Sequence, residues 1–462
     1  MAEEEKVKRV LKSSMEEDYL ILPDKAESFL DIFQKSMIYG RARAHYMWLD
    51  RTDEDNSKKA EIDGRTVQGV DPTGFAVGGS MIWKTAPLAG LSATLGYYVA
   101  NDLGVIDDED IALGKSGKDT FDRRKYTGRD GNTHYESNDL YVMAQSYAQY
   151  HLGKTDIRGG RQIFESFLTA SNDTKMIPNT FLGASVVSQD LPQTTVKAGW
   201  FAAQKLRDHN TFHDVILVDG WHENDDSGSH VRYTEANGGK KGHDLMVLGA
   251  TNKSVKDLQL DFWVTGVTDL FYSVMSEANY TIKLTDDLSI TPGARYFRQY
   301  DEGIDDVTMN GQTAAQIDAF DHDDVINGRA DAYLYALRLV GAFKDHKLTL
   351  GYHNNSQNGD VIAPWRGFPT GGYTRTTGEV NWTAGTKAEY ASWAWKITKA
   401  FRTVLSAAKN NRSGDNTNTT IWQGDFIYSF RKDLEGKIKL MSHDGWGESD
   451  YDEARFEVNW LF

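Results

Sequence analysis

The sequence predicts an all-β fold: a transmembrane, antiparallel, up-and-down β-barrel of about eighteen strands, with short periplasmic turns and long extracellular loops. Three observations point there. The chain ends Arg455-Phe456-Glu457-Val458-Asn459-Trp460-Leu461-Phe462, in which Phe456, Val458, Trp460 and Phe462 share one face of a strand and Arg455, Glu457 and Asn459 the other. A wall between lipid and a polar lumen requires that division. No uncharged apolar run approaches the roughly 18 residues of a spanning helix, whereas a barrel strand meets lipid with only every second residue. Short and long connections between strand candidates also take turns along the chain, a sorting for which a soluble sandwich or propeller has no reason.

Residues 1–36 read as a polar periplasmic lead-in with a helix over Glu5 to Leu11, and 37–462 as the barrel. Period-two alternation bounded by turn residues places strands near 37–49, 73–84, 89–100, 138–152, 154–162, 180–189, 193–206, 242–252 and 255–265. The others fall near 269–284, 287–300, 329–343, 346–355, 387–397, 401–411, 419–430, 435–444 and 453–462. Tight polar connections such as Leu152-Gly153-Lys154, Thr285-Asp286-Asp287 and Lys344-Asp345-His346 alternate with long stretches near 50–72, 101–137, 207–241, 301–328 and 356–386. In the first strand Ile38, Ala42, Ala44, Tyr46 and Trp48 oppose Tyr39, Arg41, Arg43 and His45. In the strand from 138, Leu140, Val142, Ala144, Ala148, Tyr150 and Leu152 share a face opposite Tyr141, Gln145, Tyr147, Gln149 and His151. An Arg or Lys at lipid mid-depth costs about 2–4 kcal/mol, so the arginines of the first strand are expected inside.

Composition agrees. At 462 residues a soluble chain would divide into about three domains, yet no Pro-rich, Ser-rich or low-complexity linker interrupts this one. Aromatics make up 12%, and 42 Gly stand against 8 Pro, a mixture suited to many strands with aromatic girdles. There is no cysteine, which excludes a disulfide framework, thiol catalysis and Cys-based metal sites. The net charge of -16 disfavours a nucleic-acid partner. The opening Met1-Ala2-Glu3-Glu4-Glu5 carries neither a basic nor an apolar leader region, and a signal peptide is expected to have been removed.

The polar faces gather Arg41, Arg43, Arg161, Lys197, Arg295, Arg338, Arg402 and Lys439 as channel-lining cations, with Asp261, Glu277, Asp425 and Glu457 as channel-lining acids. Guanidinium groups along a narrow bore would form an anion-attracting path; equally, any large lumen is polar and holds both signs. The connection at about 163–179 is unusually apolar for an external loop, from Phe167-Leu168 to Met176-Ile177-Pro178. Folding inward against the wall would explain this and would present Asn172, Asp173 and Lys175 as constriction residues; packing over the rim is the alternative.

Gly160-Arg161-Gln162 through Asn172-Asp173-Thr174-Lys175-Met176-Ile177-Pro178-Asn179-Thr180-Phe181-Leu182-Gly183 resembles the corresponding signature of the OprD-type outer-membrane porins. So does Arg295-Tyr296-Phe297-Arg298-Gln299-Tyr300-Asp301-Glu302-Gly303, and the terminal Phe462, with Trp460, suits their assembly signal. The resemblance implies an eighteen-stranded barrel, a third loop folded into the lumen, a ladder of arginines and passive diffusion of small hydrophilic solutes, often bearing a carboxylate. It places the chain in the outer membrane of a Gram-negative cell, in contact with lipid and lipopolysaccharide, assembled through its last strand by the barrel assembly machinery, as a monomer or homotrimer.

Enzyme motifs fail. His222-Glu223 lacks the second His of a zinc helix, and no Gly-x-Ser-x-Gly elbow or phosphate-binding loop is present, so no cofactor, catalytic residue or metal is expected. Asp107-Asp108-Glu109-Asp110 and Asp321-His322-Asp323-Asp324 make an acidic mouth able to favour cations, and lack the spacing of a calcium loop. The alternatives are a barrel enzyme or adhesin with a closed lumen, and a soluble β-rich binding protein.

Overall fold

A computed structural model describes residues 23–51, 59–62, 65–68, 73–106, 109, 120–127, 129, 131–169, 171, 175–215, 233–235, 243–302, 307–309, 312–313, 331–359, 361, 373–374, 376, 384–412, 418–445 and 450–462. Eighteen antiparallel strands close into a barrel. In chain order the first six are β1 (Met37–Arg51), β2 (Thr73–Lys84), β3 (Leu91–Asn101), β4 (Leu140–Leu152), β5 (Thr155–Gln162) and β6 (Thr180–Ser188). Next come β7 (Thr194–Lys205), β8 (Leu245–Asn252), β9 (Leu258–Val267), β10 (Phe271–Tyr280), β11 (Leu288–Asp301) and β12 (Ala332–Phe343). The last are β13 (His346–Asn355), β14 (Thr386–Lys396), β15 (Phe401–Arg412), β16 (Asn418–Arg431), β17 (Leu434–Asp444) and β18 (Tyr451–Leu461). Ile282–Lys283 is a two-residue segment that follows β10 in the same ladder against β11.

Every strand pairs with its neighbours in sequence, and β1 pairs with β18 from Arg41↔Leu461 to Arg51↔Tyr451. At the seam Gly40 and Phe462 each donate an N–H to the other's carbonyl, both at 3.1 Å. Closure satisfies backbone groups that lipid cannot, and removes the edges an open sheet would expose. No helix among the described residues is long and apolar enough to cross a membrane.

The side chains sort by face. Met81, Leu248, Phe262, Leu337, Leu350, Leu405, Trp422, Leu440, Phe456 and Val458 are exposed on the outer wall, while Arg41, His45, Ser273, Glu277, Gln299, His353, Asn410 and Asn459 are buried within. The strand from 138 breaks the expected alternation. Against β3 its register slips between Gly96↔Gln145 and Tyr97↔Met143, a β-bulge that inserts one residue and turns the alternation over. Leu140, Val142 and Ala144 therefore point inward with Gln145, Tyr147 and Gln149, and Tyr141 joins Ala148 and Tyr150 outside. The alternation of loop lengths is also less regular than the sequence indicates: only residues 268–270 join β9 to β10, and 413–417 and 445–450 are short connections on the same side.

Beyond the seam, the lead-in is described from residue 23, so the expected helix over 5–11 lies outside the described residues. A short helix, α1 (Asp31–Gln34), lies beside the first turn, where Ala26 donates to the Pro87 carbonyl at 2.9 Å and Ala86 to that of Ile32 at 3.0 Å. Phe33 stacks on Trp83 at 6.3 Å.

Two apolar clusters lie inside the wall. One joins Tyr39, Ile82, Tyr98, Leu140 and Val142 to Ile163, Met176 and Ile177; the other joins Phe201, Trp263, Phe271 and Phe297 to Phe164 and Leu168, with Phe167 against it. Residues of the connection between β5 and β6 thus pack on β1–β4 at one side and on β7–β11 at the other. Each such Leu, Ile or Phe contributes about 1.5–3 kcal/mol of burial.

Candidate constriction site

The described residues of the chain between β5 and β6 are held both by their own bonds and by the wall. Ser171 donates its backbone N–H to the Glu165 carboxylate at 3.0 Å, and Asn179 donates to the Ser171 carbonyl at 2.8 Å. From the wall, the Lys197 ammonium donates to the Glu165 carbonyl at 2.8 Å. The Lys205 ammonium donates to the carbonyls of Pro178 at 2.8 Å and Leu206 at 2.9 Å. Arg43 donates Nη1 to the Lys175 carbonyl, and its other nitrogen, Nη2, pairs with Glu457 at 2.9 Å across the seam. Lys175 is buried, 1% exposed, so its side chain is not offered to the bore as the sequence indicates: the chain passes against β1 at that point. Asn172 and Asp173 lie outside the described residues.

Below this segment is a cavity of about 850 Å³, bounded by Glu165, Phe167, Lys197, Trp263, Glu277, Arg295 and Arg338 and reaching the turn residues Lys253 and Asp257. Glu277 organises its polar wall. Arg295 meets its Oε2 with Nε at 2.6 Å and Nη2 at 2.5 Å, and Arg338 lies 3.6 Å from its Oε1. Arg338 also donates to Asn279 at 2.7 Å, and Asn279 in turn donates to Glu277 at 2.6 Å. The Tyr373 ring lies 4.5 Å from both guanidinium groups, and Phe167 lies 5.2 Å from that of Arg295. Strands impose this grouping: Glu277↔Arg295 and Gly293↔Arg338 are register pairs, with all three charged residues on inward positions. Rings over guanidinium faces hold them by cation–π attraction while leaving N–H edges available.

A second group of charges stands on the inward faces of β15 to β18. Arg402 pairs with Glu435 at 3.1 Å; Lys439 and Lys437 lie 3.6 and 3.7 Å from Asp425, and Arg455 pairs with Glu453. Gln423 donates to Asp425 at 2.6 Å, and Asp261, on β9, accepts from Gln259 at 2.8 Å and from Thr251. Arg41 is buried beside this wall on β1, 2% exposed.

The structure brings Arg295, Arg338 and Glu277 together, and joins Arg43 to Glu457 and Lys439 to Asp425, while Arg402 finds Glu435 instead of a sequence-selected acid. Arg161 departs from expectation. It stands opposite Ser146 and Leu182 on the outward set, beside inward Gln162, with its guanidinium 4.6 Å from the Phe212 ring. Gly159 and Gly160 have no side chains to mark a face there. Gly160 adopts φ +127°, and a Cβ would run into the Ser146 carbonyl. Arg158, with its guanidinium 5.4 Å from the inward Tyr147 ring, is the inward arginine of this strand. The sequence reading also passed over Lys205, Lys437, Glu435 and Glu453. Lys437 and Glu435 share the alternation of Lys439, and Glu453 that of Glu457, so strand period could have found them; Tyr373, from a long connection, has no such signal.

The family model described as outer membrane porin, OprD family, matches residues 113–420. Solved structures share the fold. Pseudomonas aeruginosa OccK9 (OpdG) superposes with a TM-score of 0.68 at 14% identity, covering 93% of this chain and 99% of its own. Acinetobacter baumannii OccAB1 gives 0.66 at 13% identity, covering 95% and 99%. P. aeruginosa OpdK with vanillate gives 0.64 at 13% identity, covering 92% and 98%. No curated protein matches the chain in sequence.

Proposed function

Because the chain belongs to the OprD family of outer membrane porins, an integral barrel of the outer membrane, we propose that it passes small hydrophilic solutes bearing a carboxylate, by diffusion past the inward segment 163–179. The observation that carries this reading is the Arg295–Glu277–Arg338 group on the wall of the cavity, two guanidinium groups sharing one carboxylate. The cavity is lined by four cations, Lys197, Lys253, Arg295 and Arg338, against three acids, Glu165, Asp257 and Glu277, a formal excess of one positive charge in a low-dielectric enclosure, which attracts an anion without holding it tightly. A carboxylate suits guanidinium edges, and the adjoining Phe167, Trp263 and Tyr373 rings accept an apolar body. OpdK has been solved with vanillate, itself a carboxylate.

Arg41, Arg43, Lys197, Arg402 and Lys439 continue the inward cations, and Asp261, Asp425 and Glu457 divide them into separate steps. The outward Trp460 and Phe462 rings at the end of β18, 5.6 Å apart, fit a signal read during insertion. The test is conductance of the purified chain in a planar bilayer under a salt gradient. Discrete ohmic steps with a reversal potential on the anion-selective side are expected, and carboxylate solutes should reduce the current. Folded protein that gives no steps refutes the channel; a cation-selective sign refutes the carboxylate preference alone.

A further inference from the structure

We propose that Arg43, Lys197 and Lys205 are positioning residues for the inward segment 163–179, and that they set the bore of the channel more than its ion preference. This rests on the porin reading above. A chain threaded through a barrel lumen has no neighbouring strand to take its carbonyls, and a carbonyl buried without a donor is costly. The wall supplies donors at three places along the segment: Lys197 to Glu165 at 2.8 Å, Arg43 to Lys175, and Lys205 to Pro178 at 2.8 Å. These attachments fall near its start and on its returning limb.

The donors come from two separated parts of the wall, β1 and β7, so the segment is pulled toward both sides, as its two sets of apolar anchors already are. An ammonium or guanidinium donor makes a stronger bond than a neutral one, and the buried Arg43 and Lys205 make theirs away from bulk water. Pro178 has no N–H, so a two-way backbone exchange with β7 is impossible there; the side chain of Lys205 bridges the gap instead. Arg402, Lys437 and Lys439 pair with the wall carboxylates Glu435 and Asp425, whereas Arg43 divides its two terminal nitrogens between Glu457 and the segment. The wall cations thus divide into those that hold the constriction and those that face solute.

The experiment measures single-channel conductance, reversal potential and hydrogen exchange of 163–179 for wild type, Lys197→Met, Lys205→Met, Lys197→Gln and, as the solute-facing comparison, Lys439→Met. Folding is checked first by heat-modifiable migration. Lys197→Met and Lys205→Met are expected to raise conductance about twofold and exchange in the segment about tenfold, the factor expected for one charge-assisted bond. Their reversal potentials should move less than that of Lys439→Met. Lys197→Gln, which keeps a donor without a charge, should raise conductance less than Lys197→Met, and this pair carries the test even when Lys205→Met does not fold. Unchanged conductance and exchange, with reversal potentials shifted as far as in Lys439→Met, overturn the proposal. A wild type without steps overturns the porin reading instead, whereas loosened exchange in 163–179 reports the tethers independently of current.

Discussion

At the residue level, His213 shows how the mouth is built from groups whose burial fixes their protonation. Its ring lies 2.9 Å from the His209 ring nitrogen and 2.7 Å from the Asp214 carbonyl, and its backbone exchanges two 2.9 Å bonds with Gln204 near the end of β7. Burial, with the neighbouring His209 adding to it, holds His213 down at about 3 from an ordinary 6.5. Asp208 and Asp214 act the other way but do not outweigh burial. Between those two values the unfolded site binds more protons than the folded one, so the contribution to stability is full above 6.5 and lost as pH falls toward 3. Amide exchange at Gln204 and His213, corrected for its intrinsic rate, should accelerate as pH drops from 7 to 4, and His213→Gln should flatten the dependence. A flat wild-type profile would show that the imidazole is not kept neutral. Arg298 illustrates the outer wall at the same scale: it lies 4.7 and 5.8 Å from the Tyr300 and Tyr333 rings and pairs with Asp331, which lets a cation stand on an outward position near the strand end.

At the level of elements, strand existence was legible because period two is imposed by the wall itself, from Met37 to the C-terminus. Face was legible only where the period continued unbroken. In β4 the bulge opposite Gly96 and Tyr97 is a property of two paired strands, and nothing in Leu140-Tyr141-Val142-Met143-Ala144 announces it. In β5 the glycines erased the pattern, so Arg161 could not be distinguished from an inward arginine. The cation–acid pairs were partly legible, since inward charges appear in the alternation, but the register between adjacent strands and across the β1–β18 seam decides who meets whom. The absence of cysteine makes the bulge directly testable. Single labels at Tyr141→Cys and Gln149→Cys, both odd positions, would share a face on an unbroken strand. The label at 141 should be quenched by brominated lipid and the one at 149 by aqueous iodide. Identical behaviour at the two positions would argue for continuous alternation.

At the scale of the whole molecule, part of the acidic excess of the sequence falls in its long connections. The chain carries 67 acidic and 51 basic residues, yet basic groups form much of the inner wall. The acidic runs at 107–110 and 321–324 belong to the long connections; of them only Glu109 is described, paired with Arg65 at 2.9 Å. Screening reaches about 10 Å at 0.1 M salt and about 3 Å at 1 M. Anion preference at 0.1 M should therefore be weaker when the dilute solution faces the long loops than when it faces the turns, and the difference should vanish at 1 M. Equal reversal potentials in both orientations at 0.1 M would remove the acidic mouth as an influence on permeation. The seam has a further consequence, one of timing. Since β1 is hydrogen-bonded to β18, the first strand made waits for the last, and closure depends on contacts spanning almost the entire chain. Without β18 the sheet keeps two unpaired edges, whatever the quality of the seventeen strands before it. Assembly is thus checked by geometry: only a chain that carries β18 can cover the edge of β1.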